Sequence, residues 1–161
     1  MNQIDPTPAA AEVAESDAET GEGDNRRKSI VIVEDHLLFC QGLTNVINYE
    51  NDLVVIGTAN DAQSGLIRIR ELNPDLVIID LTLKRGNGID LTRQLSTEGP
   101  ELPVLILSMH DEKVFSEQVI KAGAKGFVMK SEDTNTILNA IRCVLSGDYY
   151  LSDRMMQKIF G

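Results

Sequence analysis

Residues 76–91, LVIIDLTLKRGNGIDL, run through four apolar residues, stop on a single carboxylate at Asp80, and then turn polar and glycine-rich. An apolar run without polar alternation is the pattern of a strand covered on both faces, and the glycine-rich break reads as a loop into the next element. Further runs share this texture: SIVIV ending at Val33, LVVIG ending at Gly57, VLILS ending at Ser108 and GFVMK ending at Lys130. Between them lie segments with helical spacing. Phe39, Leu43, Val46 and Ile47 share one face of the first, and Ile137, Ile141, Val144 and Leu145 one face of the last. NPD at 73–75 ends the second helix, because the residue before proline is pushed out of the helical region. GPELP at 99–103 ends the third, and Asp133 or Thr134 caps the fifth. Strands alternating with helices predict an α/β fold, a five-stranded parallel sheet, doubly wound. Right-handed crossovers leave few topologies, among them the flavodoxin-like strand order 2-1-3-4-5.

Composition bounds the function. A chain of 161 residues, 42% hydrophobic and 25% charged, has room for one ordinary domain with a real core. The formal net charge of -10 and a pI near 4.6 would repel nucleic acid or an anionic membrane unless positive charge were gathered in a patch. Arg26, Arg27 and Lys28 form the one basic run, and they follow acidic sequence. Residues 1–28 hold almost no large apolar side chain and are expected to be a disordered acidic tail, with residues 29–147 as the folded domain. Cys40 and Cys143 lie in no zinc spacing and read as free thiols. With neither a secretory leader nor a membrane span in view, a cytoplasmic protein is expected.

In a parallel sheet the residues just after each strand emerge at one edge, where open α/β folds bind ligands. Here those residues are Glu34 and Asp35, Asp80, Ser108 and Lys130. With the first and third strands adjacent, three carboxylates crowd together, which is costly unless a proton or cation offsets them. Oxygen-only ligands suit Mg²⁺. Cation, lysine and hydroxyl together suit a transferring phosphoryl group, and Asp80 is placed to be its nucleophile.

From about Lys28 to Ser146 the chain resembles the receiver domain (CheY-like) of two-component response regulators. The resemblance lies in the acidic pair Glu34-Asp35, Asp80 followed by Gly88, Ser108, Lys130 in GAKGFVMK, and Phe127 three residues before that lysine. EDHLLFCQGL and LSMHDE are closest in style to the NarL/FixJ group. The resemblance implies phosphorylation of Asp80 by a sensor histidine kinase or phosphotransfer protein, with Mg²⁺ held by Glu34, Asp35, Asp80 and the backbone carbonyl of Thr82. It also implies a switch in which Ser108 moves toward the phosphoryl group and Phe127 turns inward. Such a chain modifies itself and is not a turnover enzyme.

The sequence departs from the family at Lys84, where proline is frequent, so a less rigid loop is expected; Glu34 stands where Asp is also common. Residues 148–161, GDYYLSDRMMQKIFG without its first residue Gly147, resemble the start of a linker. The alternative is the receiver half of a NarL/FixJ-type DNA-binding regulator truncated before its helix-turn-helix. No nucleic acid or membrane partner is expected for the chain itself, and homodimerisation through the apolar faces of the last two helices stays open. An aspartyl-phosphate phosphatase of the haloacid-dehalogenase type would need a second Asp at position 82, where Thr82 stands. A nucleotide-binding module would need a glycine-rich loop where EDHLLF stands. His36 and His110 sit in no ligand spacing and are read as loop residues. Met155, Met156, Ile159 and Phe160 are read as the apolar face of a short terminal helix.

Overall fold

The structure, a computed structural model, describes residues 26–99 and 101–161, with all their side chains except those of residues 112, 113 and 116. The apolar runs form strands β1 (Lys28–Val33), β2 (Leu53–Ala59), β3 (Leu76–Asp80), β4 (Val104–Ser108) and β5 (Gly126–Met129). They alternate with helices α1 (Leu37–Tyr49), α2 (Ala62–Leu72), α3 (Gly88–Glu98), α4 (Glu112–Lys121) and α5 (Thr134–Leu145), and α6 (Asp153–Phe160) follows. All strand pairs are parallel, in the order β2-β1-β3-β4-β5. This is the doubly wound flavodoxin-like sheet that the alternation of elements predicts. The acidic stretch at the N-terminus lies outside the described residues up to position 25, and Lys28 already belongs to β1.

Side chains alternate across a strand, so each central strand feeds two cores. Ile30, Ile32, Ile78 and Leu105 pack with α1 and α5 on one face, through Leu43, Ile47, Ile137 and Ile141. Val31, Val33, Ile79 and Ile106 pack with α2, α3 and α4 on the other, through Ile69, Leu91, Leu95 and Val119. Every residue of β3 and β4 is buried. The run LVVIG, read as covered on both faces, is instead the edge strand β2: it continues to Ala59 and is only half-buried, because β1 alone flanks it.

Local chemistry sets the register and the helix ends. Asp75 accepts from the Ser29 amide at 2.7 Å, fixing the start of β3 beside β1. Asn73, φ 48, takes the left-handed conformation that closes α2 just before Pro74. Side-chain caps at Asp61, Asn87, Asp133 and Ser152 each accept an amide of the first helical turn. α1 has no such side-chain cap at His36; the Glu34 carboxylate of the preceding loop accepts from the His36 amide at 3.4 Å.

The stretch read as linker-like joins the core. Tyr150 pairs in parallel with Gly126, its amide donating to the Lys125 carbonyl at 2.9 Å and its carbonyl accepting from the Phe127 amide at 3.0 Å. α6 then returns and buries Met155 to 1% exposure in the same apolar cluster as Phe127 and Val119. Truncating a buried methionine costs about 2–5 kcal/mol, whereas a change at an exposed helical site stays within about 0.5 kcal/mol. Met155→Ala is therefore expected to lower the urea midpoint clearly and Arg154→Ala to leave it unchanged. Equal midpoints for both variants would show that α6 does not belong to the folded core.

Candidate functional site

β1 and β3 are neighbours, with Val33 opposite Ile79, so the residues that leave them emerge side by side. Glu34 and Asp80 are 3% and 1% exposed, and the Asp35 side chain 6%. Two neighbours hold Asp80 in place: the Thr82 amide donates to Oδ1 at 3.1 Å and Lys130 Nζ donates to Oδ2 at 3.0 Å. The Lys130 ammonium also forms a tight ion pair with Glu34. Its stem is directed inward by main-chain pairing, since the Lys130 amide donates to the Ser108 carbonyl at 2.7 Å. Phe39 lies under the ammonium, 4.9 Å from ring centre to nitrogen.

The loop after Asp80 is held from both ends. The Lys84 amide donates to Asp35 Oδ2 at 2.6 Å, a bond that proline at this position could not make. The looser loop expected from the missing proline is thus offset by a hydrogen bond to the acidic pair. At the far end Gly88 starts α3 directly against the Asp80 carbonyl oxygen, into which any Cβ would run.

Electrostatics in the crevice are unbalanced: three carboxylates face one ammonium. Burial, then the neighbouring Glu34, pushes Asp80 up to about 6, with Lys130 pulling the other way. For Glu34, burial is outweighed by its bonds to Asp80 and Lys130, and it stays below the usual carboxylate range. Lys130 is likewise desolvated, yet Glu34 and Asp80 together hold it above its ordinary value. Asp35 Oδ1 is buried without a hydrogen-bond partner, and Glu34 Oε1 takes no aligned hydrogen bond although the ammonium lies against it. An orphaned carboxylate oxygen beside two further carboxylates fits a hard divalent cation, and oxygen donors of this kind suit Mg²⁺.

The structure brings together Glu34, Asp35, Asp80, Lys130 and the main chain of Thr82. Ser108 is fully buried at the end of β4, but its hydroxyl accepts from the His110 amide at 2.9 Å instead of reaching the carboxylates. Phe127 is 6% exposed, so it already lies inward, inside the cluster that Met155 of α6 completes.

Sequence reasoning missed three contributors. Phe39 reads as one more apolar residue on a helix face. The Lys84 contact is a main-chain bond and leaves no trace in residue type. His36, set aside as a loop residue, lies in the crevice with Nδ1 3.2 Å from Asp35 Oδ1, and its position directly after two acids was the available signal.

Known proteins share the family and the fold. The family profile of the response regulator receiver domain matches residues 30–142. The chain is 29% identical over 130 residues to the transcriptional regulatory protein DegU of Brevibacillus brevis, covering 81% of this chain and 55% of that one. It is 33% identical over 127 residues to the oxygen regulatory protein NreC of Staphylococcus aureus, covering 78% and 58%. The chain therefore spans a little over half the length of these relatives. Among solved structures, a LuxR-family two-component response regulator from Aurantimonas sp. SI85-9A1 superposes with a TM-score of 0.76 at 32% identity, covering 83% of this chain and 95% of that one. A CheY-like receiver domain protein from Methanospirillum hungatei JF-1 shares the fold, with a TM-score of 0.69 at 21% identity over 75% and 95% of the two chains.

The raised Asp80 value has a stability consequence. Its folded value of about 6 lies above the ordinary 3.8, so the folded state holds the proton more tightly, and the stabilisation present at low pH is lost as pH rises through 6. In metal-free protein, Asp80→Asn is therefore expected to raise stability at pH 7.5 by about 1–3 kcal/mol, with the gain shrinking at pH 5. Denaturant melts at the two pH values check this, and a destabilised variant at pH 7.5 would contradict it.

Proposed function

The chain belongs to the response regulator receiver family, and on that premise we propose that it accepts a phosphoryl group on Asp80 from the phosphohistidine of a sensor histidine kinase or a phosphotransfer protein. The observation that carries this reading is the buried Asp80 carboxylate held 3.0 Å from the Lys130 ammonium and beside two further acids. In the step, an Asp80 carboxylate oxygen forms the new O–P bond as the P–N bond of the donor's phosphoimidazole breaks.

Each neighbour has a part. Glu34, Asp35, Asp80 and the Thr82 carbonyl would hold Mg²⁺, which supplies positive charge for the phosphoryl oxygens when bound. Lys130, already a donor to Asp80, is positioned to follow the charge onto a phosphoryl oxygen. The Thr82 amide and the Lys84–Asp35 bond keep the acceptor loop in register during transfer. The chain changes itself and is restored by hydrolysis, so it is a switch and not a turnover enzyme. A cytoplasmic setting fits a kinase-fed switch, and no helix among the described residues is long and apolar enough to cross a membrane.

The readout would pass through Ser108 and Phe127. Leaving the His110 amide frees the Ser108 hydroxyl to donate to a new phosphoryl oxygen, and β4 pairs Ile106 with Phe127 and Ser108 with Met129 on β5. Because Phe127 is already inside, its rearrangement would be sensed by Met155 in the same cluster and by Tyr150, whose carbonyl accepts from the Phe127 amide. The downstream partner would read the face made by α4, β5 and α5, and a homodimer through the last helices is one such arrangement. With net charge -10 the chain itself is not expected to bind DNA selectively. A second reading, the receiver portion of a NarL/FixJ-type DNA-binding regulator, draws on the relatives DegU and NreC, of which the chain spans 55% and 58%. The length of the native reading frame separates the two.

Incubation with a small phosphodonor and Mg²⁺ is expected to add a single phosphoryl mass to the wild type and none to Asp80→Asn. Equal modification of both proteins would remove Asp80 from the acceptor role. Ser108→Ala should still accept the group, while the NMR shifts of the Phe127 ring and of the Tyr150 amide seen in the wild type are lost. Shifts as large in the variant would show that the coupling bypasses Ser108.

A further inference from the structure

His36 stands in the crevice without a role in the transfer described above. Its Nδ1 lies 3.2 Å from Asp35 Oδ1, 3.4 Å from Glu34 Oε2 and 3.9 Å from Asp80 Oδ2. One donor atom from each of these four residues falls within 4.8 Å of all the others. Around a six-coordinate ion with donors at roughly 2.1 Å, neighbouring donors stand about 3 Å apart and opposite ones about 4 Å. The imidazole nitrogen is therefore spaced to share one ion with the carboxylates.

Two further observations point the same way. Asp35 Oδ1, on a side chain 6% exposed, is 3.2 Å from that nitrogen yet has no hydrogen-bond partner, because the nitrogen's own bond runs to Glu34 Oε2 at 3.4 Å. A positive charge already sits among these atoms: Lys130 Nζ is 3.4 Å from His36 Nδ1, 3.0 Å from Asp80 Oδ2 and in contact with Glu34.

We propose that His36 is a nitrogen ligand that sets the metal preference of this pocket, shifting it from Mg²⁺ toward divalent transition ions such as Mn²⁺ and Co²⁺. Mg²⁺ favours oxygen and gains little from imidazole, whereas affinity for nitrogen rises along the first transition row. The inference rests on the reading of the pocket as a cation site. The His36 side chain is 57% exposed, so replacing it leaves the core intact.

The test is a competition titration of the whole chain with Mg²⁺ and Co²⁺, using wild type, His36→Gln and Asp35→Asn, together with electron spin-echo spectra of the Mn²⁺-loaded proteins. His36→Gln is expected to weaken Co²⁺ by about tenfold or more and to leave Mg²⁺ within about twofold. The wild-type Mn²⁺ spectrum should carry the nitrogen modulation of a ligated imidazole, and the variant should lose it. Binding in which His36→Gln weakens both ions equally or neither, or a wild-type spectrum without that modulation, would overturn the role of His36 while leaving the cation site standing. A wild type that binds neither ion, like Asp35→Asn, would overturn the site itself and this inference with it.

Discussion

Lys130 Nζ, buried between Asp80 Oδ2 at 3.0 Å and Glu34, is the interaction on which the site depends. A lysine side chain 4% exposed and two carboxylates 1% exposed have given up most of their hydration, and only their mutual pairing offsets that loss. Removing Lys130 would leave both carboxylates charged and dry, whereas removing Asp80 leaves the Lys130–Glu34 pair in place. The pairing is also incomplete, because Asp35 adds a third carboxylate whose Oδ1 has no hydrogen-bond partner. This shortfall of positive charge is the physical basis of the proposed cation site and phosphoryl acceptor, and it explains why the burial of Asp80 is expected to work against stability at neutral pH.

The sheet exists in a form that makes this crowding unavoidable. The order β2-β1-β3-β4-β5 sets the ends of β1 and β3 side by side, and pairing of β4 with β5 directs Lys130 back toward them. Two cores of branched side chains, one on each face, hold the strands rigidly enough for the charged ends to stay close. Gly88 lets α3 start against the Asp80 carbonyl, and the Lys84 amide ties the intervening loop to Asp35. The far end of the sheet is built differently: Phe127 lies in the cluster that contains Met155 and its amide donates to the Tyr150 carbonyl, so β5 is joined to the C-terminal segment by both side chain and main chain.

Much of this was legible in the sequence, for identifiable reasons. Central strands buried on both faces leave unbroken apolar runs, and so β1, β3 and β4 end where the runs at Val33, Asp80 and Ser108 end. Asn73-Pro74 and Asp133 mark helix boundaries through backbone chemistry that is local. What escaped depends on tertiary context. An edge strand such as β2 has the same β-branched composition as a central one, and only its missing neighbour exposes Ile56. A segment such as 148–152 gains its order from main-chain pairing to β5, which no side-chain pattern encodes. The same holds for the Lys84 bond, and the enclosure of Phe127 follows from α6 docking.

The account stands on unmet negative charge at one sheet edge, and thermal unfolding with added Mg²⁺ measures it directly. An ion that binds the folded state alone raises stability by RT ln(1 + [L]/Kd). The wild-type melting temperature is therefore predicted to climb continuously with Mg²⁺ at pH 7.5, while Asp35→Asn, which lacks the orphaned carboxylate oxygen, stays level. A wild type that ignores Mg²⁺, or an Asp35→Asn protein that responds just as strongly, would contradict it.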